Sequence, residues 1–544
     1  MLKVPVLIVG AGPVGLVLAG DLAWRGIPSM IVERSDGTIE QPKMDLVGIR
    51  TMEFCRRWGI VENVENAGYN RDWGQDNVYV TSLTGYELGR ERFPSPRRAS
   101  PPPQSPQRRE RCPQDKFDPV LRAWVETFDC VELRYRHELV SFTQSPESVV
   151  AEVRDLERGR TETIEAQYLV GCDGASSTVA RRLGTTYTGR AVLTNTTNVI
   201  FRSPQLKKLH DKGEAYRFII VGPEGTWATL VAIDGWDRYR LSIIKSRREG
   251  LSRREIEDVI RRVVGVDFPF EIESVVNWTR RELVADSYGS GRVYIAGDAA
   301  HVMSPTGGFG MNTGIGDAVD LSWKLEGVLS GWGGPVLLDS YTIERRPVAL
   351  RNAKEASANL ERMLSPGVMP LLLDDSPEGD AFRKRFGAEF SETMRHEWYT
   401  IGIHLGYRYD DSPICIYDGT PAPPMEVATY EQTSRPGARA PHVWLRPGRS
   451  TLDLFGRGFV LLRFDRSLDV APLEAAARER RVPLEVCTLE EPQVRCAYQR
   501  DLVLVRPDGH VAWRGDALPD DPAGIVEVIA GWSQASRVHQ MSTG

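Results

Sequence analysis

The sequence predicts an α/β protein built on a parallel sheet, and three observations lead there. An apolar run, Val6-Leu-Ile-Val9, enters the turn Gly10-Ala-Gly-Pro-Val-Gly15, which opens a helix pattern carrying Val14, Val17, Leu18 and Leu22 on one face. A second run, Met30-Ile-Val32, ends at Glu33, with Arg34 beside it. Further on, strand-like runs fill the stretch between 186 and 286, and a new strand pattern begins after 435. Strand, glycine turn, helix, strand and acid in that order describe a Rossmann-like dinucleotide site. Gly10 allows the tight turn, Gly12 lets a ligand approach the backbone, Pro13 suits the first helical position, and Gly15 lets helix and strand close up. The helix N-terminus would hold a pyrophosphate, and Glu33 would accept the hydroxyls of a ribose.

The stretch from Gly297 to Leu325 narrows the choice of dinucleotide. Val293 to Ala296 reads as a short strand, after which the Asp298 carboxylate could accept hydrogen bonds from a ribityl chain. Gly307, Gly308 and Gly310 then clear side chains from the path of a large planar ligand. Asn312, preceded by Met311, fits an N-cap, and Ile315, Ala318, Val319, Trp323 and Leu325 recur on one helical face. The positive end of that helix suits the negative edge of a reduced flavin. The competing interpretation is a surface loop before an amphipathic helix.

Three motifs carry a resemblance. GAGPVG at 10 to 15, CDGASSTVARRLG at 172 to 184 and GDAAHVMSPTGGFGMNTG at 297 to 314 are similar to the three cofactor motifs of the group A FAD-dependent aromatic hydroxylases, of the phenol hydroxylase and 3-(3-hydroxyphenyl)propionate hydroxylase type. The resemblance implies that Asp173 and Gly174 serve both FAD and the path of NADPH, that Asp298 holds the ribityl chain, and that the Pro305 loop backs the isoalloxazine. Two further segments match, KMDLVGIRTME at 43 to 53, which contains Lys43 and Arg50, and CPQDKFDPVLR at 112 to 122, where Gln114 and Arg122 occupy FAD-contacting positions. It also implies the reaction. NADPH or NADH would reduce FAD, O2 would add at flavin C4a, and the hydroperoxide would pass an oxygen to a phenolic ring, ortho to an existing hydroxyl. Within flavin chemistry the alternative is a tailoring oxygenase of a polycyclic natural product. Outside it, the alternative is a redox-quiet flavoprotein that binds and protects an intermediate.

A hydroxylase of this type needs a group that draws off the phenolic proton. Asp45 is the candidate, because it stands at the same offset from Arg50 at which relatives place a substrate-facing carboxylate. Its competing role is to cap a helix or pair with Arg50. His301 is a second candidate, oriented by Asp298, with a packed histidine as the competing role. Tyr216, Trp227 and Tyr239 lie on the predicted sheet and are the candidates for lining the substrate cavity.

Organisation follows from composition shifts. Residues 1–185 read as the first part of an FAD-binding domain, 186–286 as an inserted substrate-binding sheet domain, and 287–365 as the second FAD-binding part. Residues 366–435 read as a helical connector and dimer contact, in which Gly406-Tyr-Arg-Tyr409 is similar to a family segment near that contact. Residues 436–544 read as a thioredoxin-like domain that, lacking a CxxC pair, serves as a structural module. The stretch 92–113, dense in Pro, Ser and Arg, reads as a flexible surface loop without regular structure, or as a mobile rim over the substrate entrance. A net charge of −6 gives no support for nucleic-acid binding. The seven cysteines have no metal-ligand spacing, and no apolar run approaches a membrane span. The expectation is a cytoplasmic homodimer that takes a small aromatic substrate, a nicotinamide dinucleotide and O2.

Overall fold

The computed structural model describes residues 2–364 and 366–535, so Ser365 and the last residues of the predicted C-terminal domain, 536–544, lie outside the description. Its first sheet has the strand order Gly289–Ser290, Val293–Ile295, Arg160–Gly171, Leu2–Val9, Ser29–Glu33 and Val131–Tyr135, with a hairpin partner for Arg160–Gly171 on the side. Leu2–Val9 runs parallel to both neighbours. Val6 to Val9 are buried on both faces, which is why this strand reads as a continuous apolar run and not as an alternation. Helices Pro13–Trp24 and Gly310–Leu329 pack together over it. The second of these is buried nearly all round: Ile315, Ala318, Val319 and Leu325 join the core of the first sheet, while Trp323 points into the core shared with the C-terminal domain.

The second sheet is eight-stranded, in the order His301–Val302, Glu271–Ala285, Tyr187–Arg202, Arg238–Ile244, Gly225–Ala232, Arg217–Gly222, Asn77–Val80 and Glu87–Glu91. Five of these strands lie in the predicted 186–286 block. The other three come from the flanking segments, so the sheet is shared across both predicted boundaries, and Asn77–Val80 pairs in parallel with Arg217–Gly222. One face is closed by helix Arg253–Val264, through Ile256, Ile260, Val263 and Val264. The opposite face meets helices Pro335–Leu364 and Pro377–Trp398 through Ile219, Val221, Leu360, Phe386 and Phe390. This second face looks toward the flavin-type loop.

That division corrects two expectations. Tyr239 stacks on Phe201 in the core beneath helix Arg253–Val264, and Trp227 packs there under Arg262, 4.5 Å from its ring, so both are turned away from the loop. Alternation along each strand explains it, since Tyr239 shares a face with Leu241 and Ile243. The 92–113 stretch is also not a free loop. Ser95, Ser105 and Gln107 are buried, and Glu110–Arg111 forms a short strand against Leu46–Val47. Buried hydrogen bonds from its polar side chains, not backbone periodicity, hold it in place.

The C-terminal sheet runs Leu484–Thr488, Phe459–Arg463, Leu502–Val505, Val511–Gly515, with the first pair parallel and the others antiparallel. Helices Ala471–Glu479, Pro492–Tyr498 and Pro522–Ile529 complete a thioredoxin-like arrangement. Phe459, Leu461, Ile525 and Ile529 pack on Trp323, Trp332 and Leu337 of the preceding part of the chain. Tyr407 and Tyr409 are buried inside the chain, the ring of Tyr409 lying 4.4 Å from His510. Among the described residues no helix is long and apolar enough to cross a membrane, and no cluster of side chains could hold a metal ion.

Candidate active site

The first turn is as tight as its glycines allow. Gly10 has φ +105°, and a Cβ there would sit 2.5 Å from the carbonyl oxygen of Cys172. At Gly15 a Cβ would sit 2.0 Å from the carbonyl oxygen of Gly10. Gly12 faces open space, and no side chain caps helix Pro13–Trp24, so its first N–H groups point into the groove. Glu33 ends its strand with both carboxylate oxygens engaged, one accepting from the Ala11 amide at 2.9 Å and the other from the Ser35 amide at 2.8 Å. It therefore braces the glycine turn. Arg34 beside it is exposed.

Asp173 accepts hydrogen bonds from Ser177 Oγ, from the Thr178 amide at 2.6 Å and from the Val179 amide at 3.2 Å, and so secures the start of helix Thr178–Leu183. Gly174, at φ +77°, turns the chain between them. Asp298 differs from Glu33 and Asp173, whose carboxylates are both engaged. It is half-buried, and no donor among the described residues pairs with its carboxylate, which leaves both oxygens for a ligand.

The loop at 305–309 is a tight turn, with the Gly308 amide donating to the Pro305 carbonyl at 3.1 Å and positive φ at Gly307 and Gly308. Helix Gly310–Leu329 starts three residues earlier than the sequence suggested, with Phe309 at the cap position and no side-chain cap. Asn312 is therefore not the N-cap. Its Oδ1 accepts from the Gly48 amide at 2.7 Å and from Thr51 Oγ1 at 2.8 Å, and its Nδ2 donates to the carbonyls of Leu46 and Gly308. The residue clamps the 43–48 segment to the loop, and the first turn of the helix is left free to meet an anionic edge. Met311 and Gly310 sit half-exposed at that end.

His301 is fully buried, with Nε2 2.6 Å from Asp317, whose other oxygen accepts from Arg345 Nε at 2.8 Å. Burial would push the Asp317 carboxyl up, but His301 and Arg345 together hold it below the usual range. Asp317, not Asp298, orients the histidine, which sits fully buried in the packed interior. Two arginines of the expected cofactor set have protein partners. Arg50 donates to Glu53 at 2.8 Å and to the Asp508 carbonyl at 2.7 Å, which commits it to the contact with the C-terminal domain. Arg122 pairs with Glu126 at 2.7 Å on a half-exposed helix face. Gln114 accepts from the Lys43 amide at 3.1 Å, and its own amide donates to the Met44 carbonyl, so it shapes the 43–45 segment; the Lys43 side chain is exposed.

Asp45 is buried and neither caps a helix nor meets Arg50. Oδ1 accepts from Tyr216 Oη at 2.8 Å and from Arg111 Nη1 at 2.9 Å, and Oδ2 accepts from Arg240 Nη2 at 3.0 Å. Burial alone would raise its pKa; Arg240, Arg111 and the Tyr216 hydroxyl outweigh that and hold it below the usual carboxylate range. Burial pushes the Tyr216 hydroxyl up to about 12. The guanidinium of Arg111 lies 3.4 Å from the Tyr216 ring centroid. Close by, Arg217 pairs with Glu397 at 2.8 Å, and the same Glu397 oxygen accepts from the Gly307 amide at 3.2 Å, which ties the sheet to the 305–309 loop. Sequence inspection missed Arg111, Arg240 and Glu397. Arg240 had a readable signal, since Arg238, Arg240 and Ser242 alternate with the core residues Tyr239, Leu241 and Ile243.

An elongated flavin dinucleotide fits these features: two uncapped helix N-termini, an open glycine face at Gly12, and the unpartnered Asp298 between them. Comparison with known proteins agrees. A model of the FAD binding domain matches residues 3–356, and a model of the aromatic-ring hydroxylase C-terminal region matches 433–535. The chain is 33% identical to the FAD-dependent monooxygenase apdD of Emericella nidulans, over 94% of this chain and 88% of that one. It is 32% identical to 4-methyl-5-nitrocatechol 5-monooxygenase of a Burkholderia species, over 96% of both chains. Among solved structures, the rebeccamycin biosynthetic enzyme RebC with reduced flavin superposes with a TM-score of 0.91 at 41% identity, covering 97% of this chain and 99% of that one. Glycine turn, flavin loop, shared sheet and thioredoxin-like domain occur here as one unit, and the chain belongs to the FAD-dependent aromatic-ring hydroxylases, a family of flavin monooxygenases.

Proposed function

We propose that the protein hydroxylates a phenolic ring, ortho to an existing hydroxyl, with NADPH or NADH as reductant and O2 as oxygen source. The observation that carries this is the buried Asp45–Tyr216 pair between Arg111 and Arg240, on the sheet face that looks toward the 305–309 loop. FAD, when bound, supplies the activation of O2 and the transfer of one oxygen atom. Gly10, Gly12, Pro13 and Gly15 would seat its pyrophosphate, Asp298 its ribityl chain, and Gly307 to Asn312 its ring edge, with Pro305 behind the ring.

The protein's own part is proton handling and positioning. Tyr216 donates its proton to Asp45, so a lone pair on Oη is left to accept the proton of a substrate hydroxyl. Asp45 stays ionised between its arginines and polarises that tyrosine, which makes the substrate oxygen more electron-rich. Arg111 and Arg240 hold the carboxylate in one orientation. The chain has no second glycine-rich dinucleotide turn, so a nicotinamide reductant would have to bind transiently beside the cofactor these residues would hold. The seven unpaired cysteines support a reducing, cytoplasmic setting.

The test is a panel of phenols from one ring to several, scored for NADPH and NADH oxidation, O2 uptake and a product heavier by one oxygen atom. Faster flavin reduction when a phenol is added supports the reading. Binding of phenols without reductant use or product points instead to a flavoprotein that only sequesters its ligand.

A further inference from the structure

Arg280 lies on strand Glu271–Ala285 with only 4% of its surface exposed. Its Nε donates to Thr196 Oγ1 at 3.0 Å, and among the described residues no carboxylate pairs with it. Register places it on the active face: Thr196 lies opposite Trp278 and Asn198 opposite Ser242, so Trp278 and Arg280 share the side of the sheet occupied by Arg240. Of the neighbouring carboxylates, Asp45 is held by Arg240 and Arg111, and Glu397 pairs with Arg217 at 2.8 Å through one oxygen, the other being buried without a hydrogen-bond partner and forming no ion pair with Arg280. Three guanidinium groups thus share two acids, and Arg280 is a fourth with no ion pair of its own among the described residues.

A fifth, Arg109, reaches only the Trp398 carbonyl at 3.4 Å, and it too has no acidic partner among the described residues. Beside Arg280, the indole N–H of Trp278 is buried without an acceptor, the guanidinium lying 5.2 Å from that ring's centroid. Burying an unpaired cation is costly, and a protein keeps one where something else completes the pair. The strain shows in Arg280 itself: burial first, then the charge of Arg217, pulls its pKa down to about 9.

We propose that Arg280, with the Trp278 indole N–H beside it, binds a carboxylate carried by the aromatic substrate, so that the substrate class is an aromatic acid. The proposal rests on the hydroxylase reading for the identity of the ligand as substrate, but its test is one of binding. A planar guanidinium matches a carboxylate with two parallel hydrogen bonds, and an amide of the same shape loses the charge-assisted part of that interaction. Specificity then comes from the same excess of positive charge that costs the ligand-free protein stability.

Calorimetric titration of the FAD-loaded protein with matched pairs decides it: benzoate and benzamide, 2-naphthoate and 2-naphthamide, 9-anthroate and its amide. The wild-type protein should bind at least one acid about tenfold or more tightly than its amide. Arg280→Gln should lose that preference with unchanged FAD content, and Arg280→Lys should keep part of it. Without ligand, Arg280→Gln should melt no lower than the wild type, because it removes an unpaired buried charge; a lower melting temperature would assign the arginine a structural role instead. Lack of acid preference in every pair, absence of binding included, overturns the proposal, as does a preference that survives in Arg280→Gln. Acid preference without any turnover would leave this inference standing and remove the hydroxylase reading.

Discussion

Tyr216 donates its hydroxyl proton to Asp45 across 2.8 Å, joining the segment after the second strand of the FAD-binding part to the sheet that covers it. The bond links the candidate proton acceptor to a residue that sequence placed only on a cavity wall. It also changes how Asp45 can be tested, since Arg111 and Arg240 depend on the same carboxylate.

Tyr216→Phe keeps the ion pairs and removes only the hydroxyl. Hydroxylation should fall by roughly 10² or more while FAD content stays unchanged. Asp45→Asn should also lose activity, but it strips charge from two buried arginines and should cost about 3–5 kcal/mol of stability. The Asp45 pKa is lowered in the folded protein, so its stabilising contribution is present above the unfolded value near ~3.9 and is lost as pH falls through the folded value. Product assays beside thermal melts separate the two variants; wild-type turnover in Tyr216→Phe would remove the tyrosine from the mechanism.

Asp298→Ala should weaken FAD by about 1.5–3 kcal/mol, because a half-buried carboxylate without a protein donor among the described residues is the proposed acceptor for the ribityl chain. Fold should be unaffected. Equilibrium dialysis followed by the flavin spectrum reads the change, and full FAD retention would refute the assignment.

Arg506 comes from the C-terminal domain and is fully buried, pairing with Asp320 of the flavin-loop helix at 3.1 Å, with Glu344 of the next helix, and with Asp508 at 2.8 Å. Lys324 shares Asp320 and Glu344. Arg506→Met should therefore cost about 3–5 kcal/mol by leaving carboxylates buried without their partner. A melting temperature equal to the wild type's would show that the network does not couple the domains. Removal of residues from 436 onward should be more damaging still, since Arg439 also leaves Glu53.

Asp118 is buried, with only the Gln114 amide nitrogen donating to it, and burial pushes its pKa up to about 7. A raised acid binds its proton more tightly when folded, so stability from this group is greatest near pH 4 and is lost as pH rises toward 7. Asp118→Asn, which is neutral and nearly isosteric, should be more stable than the wild type at pH 8 by on the order of a few kcal/mol, with the difference vanishing near pH 4. Melts across that range check the slope; parallel curves for both proteins would contradict the raised value.

Local pattern in the sequence determined the glycine turn at 10 to 15, the flavin loop, the strands of the 186–286 block and those of the C-terminal domain. Each is written in spacings of a few residues: a glycine where φ must be positive, an apolar run where a strand is buried on both faces, an alternation where one face is solvated or lined by charge. Tertiary structure decided what lies far apart in the chain. Asn312 satisfies the 43–48 segment and not its own helix, because the amide of Gly48 and the hydroxyl of Thr51 are brought to it. Trp227 and Tyr239 pack away from the loop, and Arg240 faces Asp45, because the register of eight strands selects which face each side chain occupies. Arg50 reaches the Asp508 carbonyl of the C-terminal domain, since a buried guanidinium goes where acceptors are offered. The buried polar cluster of residues 45, 111, 216 and 240 exists only where these distant segments meet.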